Sequence, residues 1–283
     1  RLDLDHPGLF PHLERKYSHV LNDLIPGLKG LVLTFAETQY QVYKEHQVIS
    51  SFTGKDAAAH RTKKLIDELY EICQKNGVKL AIRDFVYRLG EVKDMLKAIS
   101  AIDDRVAVMS KCVPHDWHPY YPDNPVLGKV GAKEQWIEFD LGHEYEMQTS
   151  LPYAEPRELL ARMKNAFRLG INTVCLRLDR YDAGPEQQSS AIYRPWGQLE
   201  LEVFSRFKQN PDVTAEEIIS MWERRQFPGA WQVLDLSTRI VKRMLFPKKQ
   251  WLANHSNLPK FEYARTHLKG GNADRLSVWT GLE

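Results

Sequence analysis

Of the 283 residues, 43% are hydrophobic and 27% charged, and 39 basic side chains against 37 acidic ones leave a net charge of +2. That balance gives neither a nucleic acid nor an anionic membrane surface a reason to bind, and the apolar content suffices to bury one large domain or one and a half. The longest apolar runs fall well below the ~18 residues that a membrane span needs. Cys73, Cys112 and Cys175 stand in apolar or strand-like settings, so they read as buried thiols rather than a disulfide framework or a zinc cluster. The opening RLDLDHP enters as if in mid-sequence, with no signal-peptide pattern, so a fragment or processed chain is expected and the compartment stays open.

Leu2-Asp-Leu-Asp5 reads as the tail of a strand or the loop after one, and a helix is predicted from about Phe10 to Leu24, ended by Pro26-Gly27. Gly30 to Phe35 is a short apolar run bounded by turn signals, which predicts a buried strand running into Ala36-Glu37-Thr38. Leu65, Ile66, Leu69, Ile72 and Cys73 recur at helical spacing, and Asn76-Gly77 should close that helix. Strands follow at Val78–Ile82, Val106–Ser110, Gln135–Phe139 and Ile171–Leu178, separated by helices from about Glu91 to Ile102 and from about Pro156 to Leu169. A long Pro/Gly loop, Pro114 to Gly131, lies between the third and fourth strands; a loop of that length inside a compact domain is usually functional.

Beyond Asp182 the alternation stops. Trp196–Phe207, Thr214–Arg225 and Ala230–Phe246 read as helices, the second opened by a capping box, Thr214-Ala-Glu-Glu217. Five strand–helix units over roughly 150 residues argue a parallel sheet with right-handed crossovers. The fold class expected is α/β: a (β/α)8 TIM-type barrel with about five C-terminal β/α units in this chain, three strands preceding Arg1, and C-terminal helices, with an open sheet as the alternative. The expected division is 1–194 as the barrel portion with the active site and 195–283 as a helical extension.

The chemistry lies at the strand ends. Glu37, Asp84, Asp116, Asp140 or Glu144, then Asp179 or Asp182, each follow an apolar strand, and in a parallel barrel those ends converge on one pocket. Aromatics accompany them: Phe35, Tyr40, Tyr87, Trp117, Tyr120, Tyr121 and Tyr145. Two carboxyl functions flanking a bond, one protonated and one ionised, are what glycoside hydrolysis requires. Taken singly, an acid at a strand end more often caps the next helix or pairs with an arginine, and Glu138, inside its strand, reads as a structural ion-pair partner.

The pattern resembles the α-glucuronidases of glycoside hydrolase family 67, which remove glucuronic acid from xylan fragments. Four stretches carry the resemblance: Thr34-Phe-Ala-Glu37; Arg83-Asp-Phe-Val-Tyr87; Lys111 and Asp116 with Glu138-Phe and Glu144-Tyr145; and Phe204 to Trp222. Asp116 and Glu144 are 28 positions apart, a separation similar to the family's. The resemblance implies Glu37 as general acid, Asp116 and Glu144 as the pair holding the attacking water, and inversion at the anomeric carbon. It implies Arg83 and Lys111 as partners of a substrate carboxylate; among the aromatics, Tyr87, Trp117 and Tyr145 are expected as further substrate contacts. The sequence departs from the family at Leu33, where the family has a lysine, and at Thr38, where it has a glycine. The expected ligand is an oligosaccharide or glycoside, with no cofactor and no metal; a homo-oligomer is left open.

Two rivals stand beside this reading. His115-Asp-Trp-His118, His143-Glu144 and Asp3-x-Asp5-His6 suggest a metal-dependent amidohydrolase-type barrel, although the spacing matches no zinc signature. A non-catalytic carbohydrate-binding barrel would use the same aromatics without activating water. The basic runs Arg61-Thr-Lys-Lys64 and Pro247-Lys-Lys249 read as solvated surface.

Overall fold

A computed structural model describes residues 1–115, 117–141, 151–178, 193–249 and 260–269. The chain forms an α/β structure of two compact units, one made of 1–111 with 124–137, the other of 112–123 with the residues from 138 onward. Unit 1 contains β1 (Leu2–Asp3), α1 (Leu9–His19), β2 (Gly30–Leu33), β3 (Val48–Ile49), α2 (Ala57–Lys75), β4 (Lys79–Arg83), α3 (Leu89–Ala101) and β5 (Ala107–Lys111). Strand β6 (Gln135–Asp140) begins in unit 1 and ends in unit 2, which also holds α4 (Pro156–Arg168), β7 (Thr173–Arg177), α5 (Pro195–Gln209), α6 (Ala215–Glu223), α7 (Ala230–Leu245) and α8 (Phe261–Lys269).

The main sheet is parallel and runs β2-β4-β5-β6-β7, every strand beside the one that precedes it in this sheet. That single direction of winding is what a segment of a β/α barrel shows, whereas a doubly wound sheet reverses at a switch point. Gly30 pairs with Lys79 and Ala81 with Ala107. Only glycine fits at the first of these positions, because a Cβ on Gly30 would lie 2.9 Å from the Lys79 carbonyl oxygen. The short β1 pairs in parallel with β3, a ladder not foreseen from Leu2-Asp-Leu-Asp5 alone.

Helix α2 behaves as its apolar period predicts. Ile66, Leu69, Ile72 and Cys73 are buried, and the core of unit 1 gathers Ile82 on β4, Ile99 on α3 and Val106 and Val108 around β5. Its end is a Schellman turn: Gly77 adopts φ +65°, its N–H donates to Gln74 O at 3.1 Å, and the Val78 N–H donates to Cys73 O at 3.0 Å. The box at α6 also forms, with the Glu217 N–H donating to Thr214 Oγ1 at 3.2 Å and the Thr214 N–H to Glu217 Oε2 at 2.8 Å. In unit 2, Trp117, Tyr153, Val241, Leu245 and Phe246 make one apolar cluster, and Phe139 meets Phe204 edge-on at 5.0 Å.

Three expectations are corrected. The first helix is α only to His19; Val20–Leu24 widens into a π turn, closed by the Ile25 N–H on Val20 O at 2.8 Å, which buries Leu21 and leaves Leu24 outside. Strand β2 is shorter than expected and not buried, with Val32 54% exposed, because it stands at one end of the sheet order and lacks a neighbour on that side among the described residues. Cys73 and Cys112 are buried, but Cys175 is only half-buried, on the strand at the other end.

Candidate active site

In unit 1 the C-terminal ends of β2, β4 and β5 lie side by side, and each delivers a charged residue. Glu37 comes from the loop after β2, Arg83 is the last residue of β4, and Lys111 is the last of β5. Arg83 Nη1 donates to Glu37 Oε2 at 3.0 Å, joining residues 46 positions apart. Phe85 sits between the two cations, with the Arg83 guanidinium carbon 5.3 Å and Lys111 Nζ 4.6 Å from its ring centre. A ring face carries negative potential, so it favours a cation beside it. Tyr87 continues the aromatic surface, edge-on to Phe85 at 5.2 Å and 72°.

The loop that presents Glu37 is pinned. Thr38 Oγ1 donates to Phe35 O at 3.0 Å, and the Gln41 side-chain amide donates to Ala36 O at 2.7 Å. The Gln41 N–H donates to Gln47 Oε1 at 2.7 Å. Below them lies Arg61 of α2, only 4% exposed, whose Nε donates to Val42 O at 3.0 Å and Nη2 to Tyr43 O at 3.1 Å. That arginine belongs to the run read from the sequence as solvated surface; its guanidinium is instead a buried brace, because two loop carbonyls with no strand partner need donors.

The expected acids fare differently from one another. Glu37 has a side chain 46% exposed and is paired with Arg83, itself 11% exposed. Asp84 is buried and accepts from Ser110 Oγ at 2.5 Å, and Ser110 Oγ in turn accepts from the Gln135 amide at 2.8 Å, a structural chain under the site. Asp140 pairs with Arg177 at 3.3 Å. Asp140, paired with an arginine, follows the ordinary pattern of strand-end carboxylates. Asp116, Glu144, Tyr145, His143, Asp179 and Asp182 lie outside the described residues.

Trp117 is 9% exposed and packed edge-on against Tyr153 at 5.5 Å and Phe246 at 5.9 Å, within the core of unit 2. Tyr121 is likewise buried, stacked on His118 at 4.2 Å and 14°. Burial, then the positive charges of Lys242 and His115, push the His118 imidazole down to about 3. Beside them Asp140, Glu155, Glu158 and Glu200 border a cavity of about 30 Å³. That is room for a water and an order of magnitude below the ~300 Å³ of a small-molecule pocket. Among the described residues, no group of three or more His, Cys, Asp or Glu is placed to hold a metal ion, and no helix is long and apolar enough to cross a membrane.

Compared with family models and with curated protein sequences, the chain matches none. The sequence reading overlooked Lys44, Phe85 and the brace at Arg61. A lysine directly after two closely spaced tyrosines, in Tyr40-Gln-Val-Tyr-Lys44, was the available signal for the first.

Proposed function

We propose that this chain is part of a glycoside hydrolase that cleaves an α-linked acidic sugar, glucuronic acid by preference, from a plant-type glycan. The scaffold that goes with this reading is an eight-stranded β/α barrel. One observation carries it: Arg83 and Lys111 share the Phe85 ring at the ends of adjacent parallel strands, with Glu37 bonded to the same arginine. A uronate leaving water needs a guanidinium or a desolvated ammonium to offset its lost hydration, and a bond to be broken needs a carboxyl group alongside. In this reading Glu37 is the general acid. Its Oε2 is held by Arg83 Nη1 at 3.0 Å. By resemblance, Asp116 and Glu144 are the pair assigned to the attacking water, and the reaction proceeds with inversion.

The Glu37–Arg83 pair also favours a second reading. A carboxylate tied to a guanidinium is a good hydrogen-bond acceptor for sugar hydroxyls, so the same surface suits a carbohydrate-binding protein without catalysis. One experiment separates the two: NMR of the first-formed anomer from a panel of aryl α-glycosides, uronic and neutral, with wild type and Glu37→Gln. The hydrolase reading expects a β-anomer from the uronic substrates, with hydrolysis reduced by at least ~10²-fold in Glu37→Gln. Binding without turnover in wild type supports the second reading, and full activity in Glu37→Gln removes Glu37 from its role.

A further inference from the structure

We infer that Lys44 is a binding residue for the substrate's carboxylate, a third cation of the same site; this rests on the reading of the site as one for an acidic sugar. Lys44 follows Tyr43 on the braced loop, and its Nζ lies 5.9 Å from the Tyr43 ring centre and 5.8 Å from that of Tyr87. Tyr87 touches Phe85, and Phe85 carries Arg83 and Lys111, so one continuous aromatic strip connects three cations drawn from three different segments of unit 1.

Two features distinguish Lys44 from a solvated surface lysine. Among the described residues no carboxylate comes within ion-pair distance of its Nζ, which rests on two rings instead. The nearby acids have other commitments: Glu37 to Arg83, and Glu91 Oε2 to the backbone N–H groups of Tyr87 and Arg88 at 3.2 and 3.0 Å. The second feature is rigidity. The Lys44 N–H donates to Gln41 O at 2.9 Å, its carbonyl accepts from the Gln47 N–H at 3.0 Å, and Arg61 holds the two residues before it. A half-buried ammonium on a preorganised loop, offered ring faces but no anion, is poised for an anionic group supplied by a ligand. Preorganisation of this kind removes the ordering cost that a flexible lysine would carry into binding.

The test compares methyl α-glucuronoside with its neutral, isosteric amide, by NMR titration of wild type, Lys44→Met and Lys44→Arg. Wild type is expected to prefer the carboxylate. Lys44→Met should lose about tenfold or more of that preference, in line with a charge-assisted hydrogen bond in a partly dry site, while Lys44→Arg retains most of it. The ratio of the two affinities is the readout, because a disturbed loop lowers both and leaves the ratio alone. An unchanged ratio in Lys44→Met overturns the role of Lys44 while leaving the acidic-sugar reading intact. Equal binding of both ligands by wild type removes the carboxylate preference, and with it Lys44's role, while a hydrolase for neutral sugars survives. No binding of either ligand by wild type overturns the acidic-sugar reading together with this inference.

Discussion

Replacing Arg61 by methionine tests whether the candidate site is built in advance or assembled by its ligand. The methionine keeps most of the apolar stem of a side chain that is 4% exposed, but it removes the donors to Val42 O and Tyr43 O. Val42 and Tyr43 are themselves buried, so water does not readily replace the guanidinium. Each charge-assisted bond contributes about 1.5–3 kcal/mol, and part of the loss is recovered when the loop shifts its carbonyls outward. The expected destabilisation is therefore about 3 kcal/mol, a urea midpoint lowered by roughly 1 M for a slope near 3 kcal/mol/M. The more direct reading is amide hydrogen exchange: protection of Lys44 and Gln47, whose N–H groups close the loop, should fall far more than protection of Ile82 or Val108 in the sheet. Activity or sugar binding should decline alongside, since Glu37 and Lys44 ride on this loop. A loss below about 0.5 kcal/mol, with exchange in residues 36–47 unchanged, would refute the brace.

His118 provides a pH-dependent check on unit 2. Its folded value lies near 3 against an ordinary 6.5, so between those limits the unfolded chain takes up a proton that the folded chain refuses. Stability is then complete above pH 6.5 and falls as the pH drops through that window, with a slope approaching about 1.4 kcal/mol per pH unit from this group. Urea titrations of wild type and His118→Phe from pH 7 to 4 should show a shallower dependence in the variant, and parallel curves would contradict the assignment. At α6, Thr214→Ala removes the acceptor of the Glu217 N–H and should cost about 1 kcal/mol, with Thr214→Ser restoring most of it in the same denaturation assay. The Glu217 carboxyl is held below its ordinary range by the N–H and hydroxyl of Thr214, so the cap weakens as the pH falls below about 4.5.

Much of the architecture is written in local patterns. The α2 period, its Asn76-Gly77 end, the capping box at Thr214 and four strand cores are all visible because each depends on residues within a few positions of one another. The parallel order follows from alternation alone, since a strand returning after a helix pairs with its predecessor by a right-handed crossover. Where local pattern misleads, a neighbour distant in sequence is responsible. Val32 looks like a core residue until β2 is found at the end of the sheet order, and the apolar run at Val20–Leu24 looks like one more α turn until Leu21 is buried by widening it.

The residue types of the site were legible: an acid after β2, an arginine ending β4, a lysine ending β5 and an aromatic beside them. Their partners were not. Which cation meets Glu37 depends on the register of β2 against β4, and whether Trp117 faces a sugar or the core depends on where Tyr153 and Phe246 arrive from later in the chain. Arg61 reads as surface by its charge and its basic neighbours, since nothing within α2 reveals the two loop carbonyls it must satisfy. Sequence by itself determined the elements, their parallel order and the chemical inventory at the strand ends, because backbone propensity and apolar period are short-range properties. Tertiary structure alone decided which charges pair, which aromatic ring carries cations and which loop is rigid, because electrostatics and burial act between atoms brought close by folding, whatever their separation along the chain.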